Sequence, residues 1–153
     1  MPLPTITSHR TPCHGLPYLF PGQAQKEVFV NEALARLDAL MQPVVLEERT
    51  TPPAEPDPGD CYLLSDAASG AWAGHGRALA VWAESQWLFL PPREGARVFD
   101  LASGALALFT ETGGWQRIAS PAPPAGGATQ DAEARAAIAA IVAGLRAAGV
   151  FSA

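Results

Sequence analysis

Positive charge is scarce in this chain: ten Lys and Arg residues, only one of them a lysine (Lys26), stand against fifteen Asp and Glu, for a net charge of −5. That balance repels a phosphate backbone, so nucleic acid is not an expected partner. Long apolar runs are missing too. Nothing approaches the roughly 18 consecutive apolar residues of a membrane-spanning helix, and prolines interrupt the opening MPLPTITSHRTP where an export signal needs an unbroken apolar core. Neither membrane insertion nor a signal peptide is expected. Cysteine is limited to Cys13 and Cys61, the first in a proline-rich stretch and the second in a strand-like run. This excludes a disulfide framework and leaves two free thiols as the expectation. What is present, 153 residues that are 48% apolar and 16% charged, is the composition of a soluble globular protein.

Residues 1–20 carry four prolines and no periodicity, and read as an extended arm that orders on a neighbour. In QAQKEVFVNEALARLDALM, Val30, Leu34, Leu37 and Met41 fall at spacings of 4, 3 and 4, which predicts a helix over about 23–40 with that stripe facing the core, ended by Pro43. A proline-laden loop over 48–60 leads into strands at 61–65, 78–83, 86–90, 96–101, 105–109 and 115–118. Most spacers between these strands are too short for a parallel crossover. The predicted fold is therefore mainly β, an antiparallel β-meander with an N-terminal helix, forming one domain over 21–119. The strands are apolar on both sides: Trp87 and Phe89 alternate with Leu88 and Leu90. A second apolar face requires a covering layer, supplied by the chain's own helices or by another subunit.

The string Asp-x-Ala-Ser-Gly-Ala occurs twice, at 66–71 and 100–105. Asp, Ser and Gly close tight turns, and no histidine, lysine or second carboxylate recurs beside both copies, so the repeat reads as punctuation between strands. It also brings VWAESQW (81–87) into line with LFTETGGW (108–115), as one hairpin design used twice. After residue 119 a Pro/Gly hinge, 120–128, precedes a helix within 129–153. Its expected N-cap is Thr129, with Asp131 and Glu133 in the first turn, Arg146 in the last and Gly149 as the stop. Ala134, Ile138, Ile141, Leu145 and Ala148 form a seam at heptad spacing. Either this hinged helix docks on its own sheet, or Ile138, Ile141, Val142 and Leu145 form an oligomer interface. Isoleucine at both core positions favours a homotrimer in the second case.

No constellation for catalysis can be nominated. Gly74-His75-Gly76 lacks the third glycine of a dinucleotide loop, since Leu79 stands there, and the phosphate-loop, serine-elbow and zinc-helix motifs are missing. His9, Cys13 and His14 are too crowded for a tetrahedral metal site. The carboxylate pairs Glu47/Glu48 and Asp57/Asp60 read as solvated surface. No catalytic residue, metal or cofactor is therefore expected. All four tryptophans, Trp72, Trp82, Trp87 and Trp115, lie in the strand region. Packing is the simpler use for them. The alternative is a carbohydrate-binding module that contacts bacterial capsule or surface polysaccharide through Trp72 and His75.

Leu16-Pro17, Gln23-Ala24-Gln25-Lys26, Asn31-Glu32-Ala33-Leu34 and Leu37-Asp38 make the most distinctive segment. Downstream, Pro58-Gly59-Asp60, the run from Gly70 to His75, Ala80-Val81-Trp82, Trp87 and Pro91 follow in order. Over 16–118 this pattern resembles a domain of unknown function found in structural proteins of alphaproteobacterial prophages and gene transfer agents. The resemblance implies a non-enzymatic component of a phage-like particle, assembled in the bacterial cytoplasm. It would be part of a tail fibre or head spike or its attachment module, with copies of itself as partners and with other particle proteins met through the N-terminal arm. A polysaccharide hydrolase is the remaining class, without an acid/base pair to support it.

Overall fold

A computed structural model describes residues 10–20, 22, 26–83 and 85–152. The chain divides into two compact units, Met1–Pro92 and Arg93–Ala153. In the first, helix α1 (Lys26–Met41) is followed by β1 (Val44–Val45), β2 (Glu48–Arg49), β3 (Cys61–Leu64), a 3-10 turn (Gly70–Trp72), β4 (Leu79–Ala83) and β5 (Gln86–Leu90). Strands β2, β3, β4 and β5 lie side by side in that order. β3–β4–β5 is antiparallel, with Cys61 opposite Val81 and Trp82 opposite Trp87, whereas β2 joins β3 in parallel, Glu48 opposite Leu63. The sheet is mixed, which corrects the expectation of a wholly antiparallel meander. The proline loop over 50–60 is long enough to carry the chain back alongside itself, and a two-residue strand leaves no periodicity to read.

Both faces of this sheet are apolar, as its alternation requires, and both are covered from within the unit. On one side Ala83 and Leu88 pack with Ala35 and Leu34 of α1 and with Tyr18; on the other, Tyr62, Leu64, Ala78 and Ala80 close around Trp72 from the β3–β4 loop. The second covering layer is thus a loop, where a helix or a neighbouring subunit was anticipated.

The helix forms as expected but presents a different face. Ala35, Asp38 and Ala39 are its buried residues, while Val30, Leu37 and Met41 of the anticipated core stripe are 40%, 55% and 57% exposed. Only Leu34 of that stripe turns inward. Small side chains let α1 approach the sheet closely, and two polar residues on the same side hold the preceding segment. Asp38 accepts from the Thr11 hydroxyl and from the backbone N–H groups of Cys13 and His14; the Asn31 amide exchanges hydrogen bonds with both backbone groups of Leu19. Residues 10–20 are therefore held against their own helix by Asp38 and Asn31, and an antiparallel bridge between Arg10 and Pro17 closes the segment on itself, unlike the free arm anticipated there. The remainder of that arm, 1–9, lies outside the described residues. Gly59 completes the clamp: its φ is +95° and a Cβ on it would come within 3.1 Å of the Pro12 side chain, a position that glycine alone fills without strain.

In the second unit β6 (Arg97–Asp100), β7 (Ala105–Thr110) and β8 (Gly114–Ala119) form an antiparallel run, followed by α2 (Ala132–Ala147) and β9 (Phe151–Ser152). β9 pairs in parallel with β8, Ile118 opposite Phe151. The helix after the proline segment is thus the crossover that a parallel pair needs, which again makes the sheet mixed. Its N-cap is Asp131, whose carboxylate accepts from the Ala134 N–H, and not Thr129. Gly149 stops it as expected, at φ +71° and with its carbonyl bonded to Leu106 N–H.

The repeated string has its structural counterpart. Each unit contains a three-stranded antiparallel run, and each second hairpin carries an aromatic pair across its strands: Trp82 and Trp87 with centroids 5.0 Å apart, Phe109 and Trp115 at 5.3 Å. Asp100 closes its turn by accepting from the Ala102 N–H and meets Arg117 in an ion pair, whereas Asp66 pairs with Arg77 at the base of the Trp72 loop.

Candidate functional site

Two places bear the residues that the sequence nominates. The first is α2. Alanine, the strongest helix former, fills half of its 16 positions, and Glu133 and Arg146 complement its ends. None of its residues is buried: Ile138 is 45% exposed, Ile141 61% and Leu145 37%, with Val142 half-buried. The helix thus keeps its apolar seam uncovered although β9 ties its C-terminal end to the sheet. Docking of the seam on its own sheet, one of the two sequence readings, is not what the unit shows.

Sequence reasoning missed what lies beside that seam. The segment expected as a free hinge runs back along the helix: the Arg135 guanidinium donates to the carbonyls of Pro124 and Gly126. Between them is a groove of about 350 Å³, lined by Pro121, Pro123, Pro124, Ile138, Val142 and Arg146 among others. An arginine one turn into a helix that follows a proline-glycine stretch is the signal that could have indicated this stitching.

The second place is the aromatic cluster of the first unit. Trp72 is fully buried, its ring 5.6 Å from Tyr62 and 5.1 Å from Trp87, and its indole Nε1 is a buried donor without a partner. A sugar needs an open ring face, so the alternative reading of Trp72 as a glycan contact does not suit its place: the ring is the plug of the core, the packing use that the sequence favours. His75 is exposed and stacks on Phe89 at 3.7 Å with the rings nearly parallel. Trp72 and His75 therefore belong to one loop without sharing a surface. Arg49 lies over the Tyr62 ring at 5.7 Å, closing that edge of the cluster by a cation–π contact.

Cys13, Asp38 and Cys61 border a further cavity of about 310 Å³. Both cysteines are free. Burial pushes the Cys13 thiol up to about 11, with the Asp38 charge adding to it, and burial pushes Cys61 up to about 12. Both are thus protonated at neutral pH, so neither is poised as a nucleophile. For Asp38, burial opposes ionisation, but the bonds from Thr11, Cys13 and His14 outweigh it and hold the carboxyl below the usual carboxylate range. Among the described residues no group of three or more His, Cys, Asp and Glu is placed to hold a metal ion, and no helix is long and apolar enough to cross a membrane. His9 lies outside the described residues.

Comparison with known proteins adds a family. No curated protein matches the chain. Residues 30–116 match the model of a family described as a protein of unknown function (DUF2793). The match takes in Asn31 and Asp38, which clamp the N-terminal segment, and both aromatic hairpins, while Leu16-Pro17 and the stretch 23–26 precede it. With more than half of its length in this match, the chain belongs to the DUF2793 family.

Proposed function

We propose that this protein is a non-enzymatic structural component of a phage-like or gene transfer agent particle, part of a tail fibre or head spike or of the module that attaches one, and that it assembles with copies of itself through α2. The observation that carries the reading is the uncovered seam of Ile138, Ile141 and Leu145 on a helix with no buried residue. Isolated helices of this length are marginal in water, and a row of branched apolar side chains is stabilised by a matching row. Isoleucine at successive core positions favours three strands. The particle context is supported by the sequence resemblance over 16–118.

Light scattering on the full chain tests it. The expected mass is three chains or a multiple of three, and Ile141→Glu, a substitution at an exposed position, lowers it while the far-ultraviolet circular dichroism is kept. A wild-type mass that is not a multiple of three, or one that Ile141→Glu leaves unchanged, refutes the α2 assembly.

A further inference from the structure

We propose that the outward face of α1 is a second self-association surface, and that it pairs antiparallel with the same face of another copy of this chain. The side of α1 turned away from Ala35, Asp38 and Ala39 is apolar along most of its length: Phe29 is 77% exposed, Val30 40%, Leu37 55%, Leu40 50% and Met41 57%. Together these expose on the order of 500 Å² per copy, a patch at the upper end of what monomers leave open. A pair would remove about 1,000 Å², the threshold for a specific interface.

The spacing and charge of this face say what covers it. Lys26, Val30, Ala33, Leu37 and Leu40 follow one another at 4, 3, 4 and 3 residues, the seam of a two-helix coil. In a parallel pair Ala33 would face Ala33 and leave a gap, and the two Lys26 charges would meet at one end. Run antiparallel, each Ala33 faces a Leu37 and each Val30 a Leu40, so large and small side chains share every layer. Lys26 occupies the first turn of α1, where the helix dipole disfavours a cation, and the last turn holds no basic residue. An antiparallel partner brings each lysine to the other helix's carbonyl end. This pairing stands independently of α2 assembly, since it uses a different helix and a two-fold contact.

Cross-linking of full chains tests it, in a Cys13→Ser background because Cys13 is exposed. Under mild oxidation an equimolar mixture of Val30→Cys and Leu40→Cys chains is expected to give a covalent dimer of one of each. Val30→Cys alone is expected to give none, since the two positions 30 would sit about 15 Å apart at 1.5 Å per residue, beyond disulfide reach. To separate this contact from that of α2, masses are compared in chains carrying Ile141→Glu. There a dimer is expected, and adding Leu37→Glu halves the mass with circular dichroism unchanged. Cross-linking of Val30→Cys with itself, no cross-link in the mixture, or a mass indifferent to Leu37→Glu overturns the proposal.

Discussion

Replacement of Asp38 by alanine removes one carboxylate and strands three donors at once. The Thr11 hydroxyl lies 2.7 Å from it and the N–H groups of Cys13 and His14 each 2.8 Å. Thr11 is buried, at 3% exposure, so its loss is felt as an unpaired buried donor, about 1–3 kcal/mol. Cys13 and His14 are exposed and water can replace part of what they lose, adding about 1 kcal/mol between them. A total near 3 kcal/mol lowers Tm by about 6–12 °C in a chain of this size. The effect carries a pH signature. Because the folded carboxyl ionises below its ordinary range, its stabilisation is complete above about pH 4 and is lost as pH falls through the folded value. The gap in Tm between wild type and Asp38→Ala is thus widest at neutral pH and closes in acid. A second readout is local: release of residues 10–20 and loss of the Asp38 charge remove what holds the Cys13 thiol up, so Cys13 is alkylated faster than in the wild type. A shift under about 2 °C with unchanged Cys13 labelling, or a gap that does not respond to pH, would refute the role given to this clamp.

Trp72→Ala should destabilise the first unit by about 3–5 kcal/mol in urea titration, the usual cost of emptying a large aromatic site; a loss under about 1 kcal/mol would show that the ring is a surface feature after all. Gly149→Ala should cost about 1–3 kcal/mol, because its φ of +71° resists a side chain and the new Cβ would stand 2.7 Å from the Phe99 ring. Urea titration of the second unit measures it, and an unchanged midpoint would contradict the packing described there.

Much of the element order was legible, because strand alternation and helix punctuation are local. The strands from β3 to β8, both helices and the Gly149 stop follow from such signals. What was not legible depends on partners distant in sequence. The parallel additions of β2 and β9 are two residues long and have no pattern of their own. The orientation of α1 was misread because periodicity marks a stripe without saying which side of it is wet; two alanines, an asparagine and an aspartate make the inner face, and hydropathy ranks them below the leucines outside. The glycan alternative for Trp72 rested on its loop being the least strand-like stretch, yet that loop is the lid of the core. The proline-rich beginning looked detached because nothing local reveals that an aspartate about 25 residues downstream collects its N–H groups. The seam of α2 was visible as a pattern, and its exposure was not.

Within the first unit the Trp87 ring meets those of both Trp72 and Trp82, while Trp115 belongs to the second and leans on Phe109. Indoles this close couple their electronic transitions, so the first unit has a built-in chromophore whose circular dichroism couplet vanishes when its hairpin opens, whereas Trp115 is the one tryptophan of the second unit. Melting of the two halves can therefore be watched separately in one cuvette, without a label, and any difference in their midpoints read directly as uncoupled folding.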